Sequence, residues 1–278
     1  MAKISCIHPS CRPNIAKETR EKWLDLAKEP DLIEYLICAD SYQDKKVRKV
    51  GVSKNNFEYY YPCINGKSAG SIKKLNFIAK LASADCLLIS TDDVIPHKHW
   101  DYEILNSTNW DKDVVLRIGD DFEKLYSLKD FDKYRVEYRP YMIKHAAFSK
   151  KRLERYGFVG HPNFRHVCAD DYFSWLAHKD NVVIENKKIT FTHYNPLLKN
   201  APWDKFYKEQ NSKENYEKGR MIFLNLTVNT ITNQEIKDLI EEYFLHANEC
   251  RKLNIEFVLT CVGVDVEKIG SEHNLNFI

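Results

Sequence analysis

Apolar runs of strand length alternate with stretches of helical spacing over the first third of the chain. Lys3 to His8 reads as a short strand, and Pro9-Ser10-Cys11-Arg12-Pro13 turns it into a helix over Asn14 to Ala27, with Ile15, Trp23, Leu24 and Leu26 at inward spacing. Ile33 to Ala39 is apolar apart from Glu34 and ends in Asp40, the pattern of a strand buried on both faces. Tyr59 to Cys63 is a weaker strand. Ser68 to Ala82 carries Ile72, Leu75, Ile78, Ala79 and Ala82 on one helical face, and Cys86 to Ser90 is the next buried strand, with Thr91-Asp92-Asp93 at its carboxyl end. Strands and helices in alternation predict a parallel sheet with covering helices. Ligands in such sheets bind beyond the carboxyl ends of the strands, where Ser10, Asp40 and Asp93 all fall.

Beyond residue 110 the pattern loosens. Val114 to Ile118 is strand-like, and a charged, aromatic stretch follows from Asp120 to Tyr141, including Tyr134 to Tyr141 interleaved with Arg135 and Arg139. A helix near Lys150 to Arg155, a loop from Gly157 to Pro162, a helix starting near Asp170, and strands Val182 to Ile184 and Ile189 to His193 come next. Trp203 to Glu217 is polar and helical, and a linker at Thr227 to Asn233 precedes a helix–strand unit, Gln234 to Leu253 and Ile255 to Val264. The expected organisation is an α/β domain over 1–200, changing character near residue 110, with a C-terminal helical extension at 201–278.

Composition bounds this picture. The chain has 278 residues, 44% hydrophobic and 29% charged, enough for a sizeable core and too apolar for wholesale disorder. No apolar run approaches the roughly 20 residues of a membrane span, and Met1 to Ser5 leads into a strand without a signal-peptide pattern, so the cytoplasm is the expected location. The eight cysteines form no C-x-x-C pair and read as reduced thiols, several of them in the core. Cys6, His8 and Cys11 lack the second cluster that a zinc site needs. Net charge is +2, but the basic residues clump: Lys45, Lys46, Arg48 and Lys49; Lys67, Lys73, Lys74 and Lys80; Lys150, Lys151, Arg152 and Arg155. Each clump on its own reads as a solvated helix face; together they outline a footprint for a polyanion.

Leu87-Leu88-Ile89-Ser90-Thr91-Asp92-Asp93 is the constellation richest in chemistry. Adjacent carboxylates at a strand end raise one another's pKa, and a divalent cation with oxygen ligands relieves that repulsion. A lone Asp-Asp pair more often belongs to a solvated loop or caps a turn, so its surroundings decide.

Those surroundings resemble the family-2-like GT-A glycosyltransferases, inverting and nucleotide-sugar dependent, over roughly residues 3 to 225. His8-Pro9-Ser10-Cys11-Arg12-Pro13 looks like the first strand-loop of that family, and Asp40 sits where the family contacts the base. Asn65-Gly66-Lys67-Ser68, followed by Lys74 and Asn76, looks like its Gly-containing loop and helix. Thr91-Asp92-Asp93 takes the place of its D-x-D motif, with Thr91 or Ser90 standing where the first aspartate is usual. Ala169-Asp170-Asp171-Tyr172 resembles the acidic pair that begins the acceptor-side helix, and Phe191-Thr192-His193 the strand ending in a metal-binding histidine. The resemblance implies a mixed α/β sheet of GT-A type and a catalytic domain over 1–200, with the nucleotide-sugar half at 1–110 and the acceptor half at 111–200. It assigns the donor nucleotide to Pro9, Ser10, Arg12, Asp40, Asn65, Lys67, Lys74 and Asp92. It implies Mn²⁺ or Mg²⁺ on Asp93 and His193, and Asp171, with Asp170 second, as the base. His161, His166 and Tyr194 are further candidates for the acceptor pocket, with loop packing as their plainer reading.

The expected reaction is transfer of a sugar from a nucleotide sugar, most naturally a UDP-sugar, to an acceptor hydroxyl. The basic clumps tilt the acceptor toward a hydroxymethylated base in DNA of the phage kind; a polysaccharide or small molecule is the alternative. Nucleotidyl transfer would need a Gly-rich first loop, and His8 to Pro13 has no glycine. A non-catalytic nucleotide-sugar-binding module is the remaining alternative.

Overall fold

The computed structural model describes residues 2–121 and 142–228. The last helix–strand unit and the aromatic stretch up to Tyr141 therefore lie outside the described residues.

The strands are β1 (Ile4–Ser10), β2 (Ile33–Ser41), β3 (Arg48–Gly51), β4 (Asn56–Pro62), β5 (Cys86–Ile89), β6 (Val94–Ile95), β7 (Val115–Asp120), β8 (His145–Ser149) and β9 (Val183–His193). The helices are α1 (Pro13–Leu26), α2 (Ser71–Ala79), α3 (Trp100–Leu105), α4 (Lys150–Tyr156), α5 (Ala169–Lys179), α6 (Lys205–Gln210) and α7 (Lys213–Val228). Among the described residues the strands form a sheet of nine in the order β3-β4-β2-β1-β5-β8-β7-β9-β6. Strands β4, β2, β1 and β5 run parallel, as the alternating pattern predicts. Beyond β5 the sheet becomes mixed: β8 is antiparallel to both β5 and β7, while β9 is parallel to β7.

Helices cover both faces, and side chains alternate between two cores as the strand period requires. Leu36, Cys38, Leu87 and Phe148 face the layer of α2 and α5. Tyr35, Ile37, Leu88 and Leu116 face the layer of α1 and α3. In the second core Trp23 stands edge-on to Trp100 and Phe191, at 5.1 and 5.4 Å between ring centroids, contacts each worth roughly 0.5–1.5 kcal/mol beyond burial. Its indole N–H donates to the Val94 carbonyl at 2.8 Å, which ties the chain just after Asp92-Asp93 to α1.

Several local expectations change. Ile15 is 40% exposed, and α1 turns Ala16, Thr19, Arg20 and Trp23 inward. Arg20 tolerates burial because it pairs with Glu58 at 2.9 Å, a partner on β4 that helical spacing cannot reveal. The strands expected at 182–184 and 189–193 are one strand, β9, with a register jump: Arg117 pairs Glu185, yet Gly119 pairs Thr190. The helix expected from Trp203 to Glu217 breaks at Asn211-Ser212 into α6 and α7. The short β3 and β8 carry too little pattern to be seen in advance; β8 is His-Ala-Ala-Phe-Ser.

Candidate active site

The loops at the carboxyl ends of β1 and β5, together with α2, α5, the end of β9 and α6–α7, enclose a cleft of about 680 Å³. Pro9, Ser10 and Arg12 line it, as do Lys74, Asp92 and Asp93, and also Asp170, Asp171 and His193. Asp40, Asn65 and Lys67 do not. Asn65 and Gly66, at φ 50° and 69°, form a two-residue turn closed by Ile64 and Lys67, the backbone that Asn-Gly favours, and this turn is exposed. Asp40 is buried against Lys74, 2.9 Å away, and the same Lys74 ammonium donates to the Ser10 carbonyl at 2.6 Å.

Asp92 and Asp93 diverge. One Asp92 carboxylate oxygen lies 2.9 Å from His8 Nε2; the other accepts from Ser10 Oγ at 2.9 Å and from Arg12 Nε at 3.0 Å. Burial opposes its ionisation, but these partners outweigh burial and hold it below the usual carboxylate range. Arg12 also reaches Asp204 at 2.8 Å, joining the first loop to the start of α6. Asp93 accepts from Thr91 Oγ1 at 2.7 Å, and its other oxygen lies 3.6 Å from His193 Nε2. Its backbone is clamped too: Tyr194 N–H donates to the Asp93 carbonyl at 2.7 Å, and Thr19 to that of Asp92 at 3.2 Å.

Around His193 carboxylates and imidazoles alternate. Its Nδ1 is 3.2 Å from Asp120, and Asp120 is 3.3 Å from His145 Nε2. Burial disfavours the His193 cation, yet Asp120 and Asp93 together raise it to about 9. Burial likewise opposes ionisation of Asp93, and His193 overcomes it, bringing the carboxyl down to about 2. Burial pushes His145 down. The donor chemistry fits a divalent ion: a carboxylate and an imidazole nitrogen 3.6 Å apart span the separation of two donors about 2.1 Å from a shared ion.

The acidic pair opens α5. Cys168 before it adopts φ 64°, a left-handed conformation uncommon for a residue with a Cβ. Asp170 accepts from the Asp171 N–H at 3.1 Å, which serves the helix start, while Asp171 is 4% exposed in the cleft wall. Gly70, at φ +93°, ends the loop into α2; a Cβ there would lie 2.8 Å from Arg165, so glycine lets the chain before α5 press against α2. His166 takes the Ser71 backbone N–H on Nδ1 at 3.3 Å. Burial, reinforced by Arg165 and Lys74, lowers it to about 4, so a neutral ring lines the cleft.

Sequence reading missed Asp120, His145, Tyr207 and Arg220, the last two lining the cleft from α6 and α7. A single Arg on a polar helix carries no local signal, and the other three matter only through partners distant in the chain. The basic clumps are partly consumed within the fold. Lys74 serves Asp40, Arg152 pairs with Asp180, and Arg155 lies 3.0 Å from Asp113 and 3.1 Å from Asp180.

The sheet order, the cleft beyond the parallel strand ends and the flanking helices define a GT-A fold. Residues 1–349 of S. aureus TarS match it with a TM-score of 0.50 at 12% identity, over 94% of this chain and 90% of that one. The same TarS fragment in complex with UDP-GlcNAc matches with a TM-score of 0.50 at 11% identity, over 99% and 93%. Against a longer TarS structure, also at TM-score 0.50 and 12% identity, 94% of this chain covers 55% of the other. No family model and no curated protein matches the sequence. Among the described residues no helix is long and apolar enough to cross a membrane.

Proposed function

We propose that the chain is a metal-dependent glycosyltransferase moving a sugar from a nucleotide-sugar donor, a UDP-sugar, to an acceptor hydroxyl with inversion. The observation that carries this reading is the approach of Asp93 and His193, a hundred positions apart in sequence, to 3.6 Å in a cleft that Asp171 also lines. The GT-A fold supports it.

Pro9, Ser10 and Arg12 flank the nucleotide, with Asp92 holding Ser10 and Arg12 in position. Because Arg12 and Lys74 already face carboxylates, Arg220 is the cation we assign to the diphosphate. Mn²⁺ or Mg²⁺ held by Asp93 and His193 would neutralise charge on the leaving diphosphate. Asp171 takes the proton of the acceptor hydroxyl as it attacks the anomeric carbon from the side opposite the diphosphate. Asp170 ranks second because it serves the helix start.

For the acceptor, the internal pairing of Lys74, Arg152 and Arg155 favours a polysaccharide or small molecule over a hydroxymethylated base in DNA. Duplex DNA that binds tightly and loses affinity steeply as salt rises would restore the DNA reading.

A panel of nucleotide sugars incubated with the protein and Mn²⁺ should show one releasing its nucleoside diphosphate. Asp171→Asn should lower kcat by about 10²–10⁴-fold while the donor still raises the melting temperature. Turnover of no donor, or full turnover by Asp171→Asn, would end this reading.

A further inference from the structure

The two ring nitrogens of His193 face different surroundings. Nε2 looks toward the cleft, 3.6 Å from Asp93 Oδ2 and 3.4 Å from the Asn195 side-chain nitrogen. Nδ1 looks into the protein, 3.2 Å from Asp120 Oδ2. A neutral imidazole carries one N–H and one lone pair, and a carboxylate only accepts. Asp120 is the nearer of the two carboxylates, and the Asn195 side-chain nitrogen is placed to donate to a lone pair on Nε2; both favour the proton on Nδ1 and the lone pair on Nε2, the form that a metal ligand needs.

The fold gives Asp120 little room to do otherwise. It ends β7, is 3% exposed, and its Oδ2 also lies 3.3 Å from His145 Nε2 while Oδ1 lies 3.8 Å from Lys144 Nζ. The His145 ring stands nearly perpendicular to that of His193, with centroids 5.0 Å apart. Asp121, the next residue, accepts the His193 backbone N–H at 3.0 Å. The register jump in β9 pairs Asp120 with Phe191, which brings the carboxylate within reach of the residue two places on. Irregularities of this kind re-aim side chains at functional sites.

We propose that Asp120 is a positioning residue: by accepting the Nδ1 proton of His193 it holds that ring with Nε2 presented beside Asp93 as a metal ligand. This rests on the reading of Asp93 and His193 as the ligands. A competing arrangement uses the same side chains, since donor atoms of Asp120, His145 and His193 all lie within 4.8 Å of one another. An ion among them would take Nδ1 instead, and one nitrogen cannot serve both arrangements.

Mn²⁺ titrations of the protein without donor, followed by calorimetry or electron paramagnetic resonance, separate these cases. Asp120→Asn should weaken binding by about 10–100-fold, Asp93→Asn should remove it, and His145→Gln should leave it within a few-fold. Binding by Asp120→Asn equal to wild type overturns the positioning role while leaving the ligand reading intact. Loss in Asp120→Asn and His145→Gln with retention in Asp93→Asn moves the ion to Nδ1 and overturns it as well. A second measurement depends on neither variant folding nor metal binding. Nitrogen-15 spectra of wild-type, metal-free His193, recorded where the ring is neutral, should show the Nδ1–H tautomer. Finding the proton on Nε2 refutes the proposal, and a wild type with no Mn²⁺ affinity but an Nδ1–H ring refutes only the ligand reading.

Discussion

Asp92 and Asp93 are adjacent, yet they belong to two differently built walls of one cleft. On the parallel wall, made by β1, β2 and α2, charged groups are spent on each other: Lys74 on Asp40 and on the Ser10 carbonyl, Asp92 on His8, Ser10 and Arg12. That wall is a shape held by internal pairing. On the mixed wall, made by β7, β8 and β9, Asp93, His193, Asp120 and His145 form a chain of carboxylates and imidazoles, with one ring nitrogen turned to the cleft. Similar residue types are arranged differently on the two sides: as separate ion pairs and hydrogen bonds around Lys74 and Asp92 on one, and as a continuous run of carboxylates and imidazoles on the other.

The comparison breaks first, and most heavily, at Lys74. Lys74→Met would leave Asp40 buried and unpaired, which should cost about 3–5 kcal/mol in urea unfolding, with the double variant Lys74→Met/Asp40→Leu regaining most of it. If Lys74→Met kept its stability and instead raised the donor KM, the parallel wall would be a phosphate site and the contrast would fail.

On the mixed wall the expected effect is a pH dependence. In metal-free protein His193 stands at about 9 against an ordinary 6.5, so its contribution to stability is complete below 6.5 and is lost as pH climbs through 9. Asp93, at about 2 against 3.8, contributes above 3.8 and loses that contribution as pH falls through 2. Melting curves in EDTA should therefore fall between pH 6.5 and 9, and His193→Gln should flatten that arm. A wild type with no such arm would mean that the imidazole chain is not charged as the geometry implies.

The smallest effect is expected at the rim. Arg220→Gln should raise the donor KM roughly 10-fold, about 1.4 kcal/mol of binding, with melting temperature unchanged and kcat little affected. An unchanged KM would return the diphosphate to Arg12.

Legibility from the sequence followed the same division. The parallel half was readable because β5 is a continuous apolar run, β1 and β2 are largely apolar, and α2 repeats its apolar positions at helical spacing; Cys86 to Ile89 and Ile72, Leu75 and Ile78 are where the pattern puts them. Asp93, Asp171 and His193 were singled out in the sequence as candidates at or near the ends of elements. Asp120 and His145 were not, because β8 is short and rich in alanine, and because the partner of Asp120 follows from a register jump that no local pattern encodes. Asp40 and Lys74 were identified as functional types without any sign that they would face each other.

The sequence by itself determined the elements, their alternation and the carboxyl-end position of the acidic pair, since these depend on side-chain periodicity and turn residues within a few positions. Tertiary structure decided which charges neutralise one another and which remain turned to the cleft. That choice depends on strand register and on contacts across β1, β7 and β9, where a shift of one residue turns a side chain to the opposite face of the sheet.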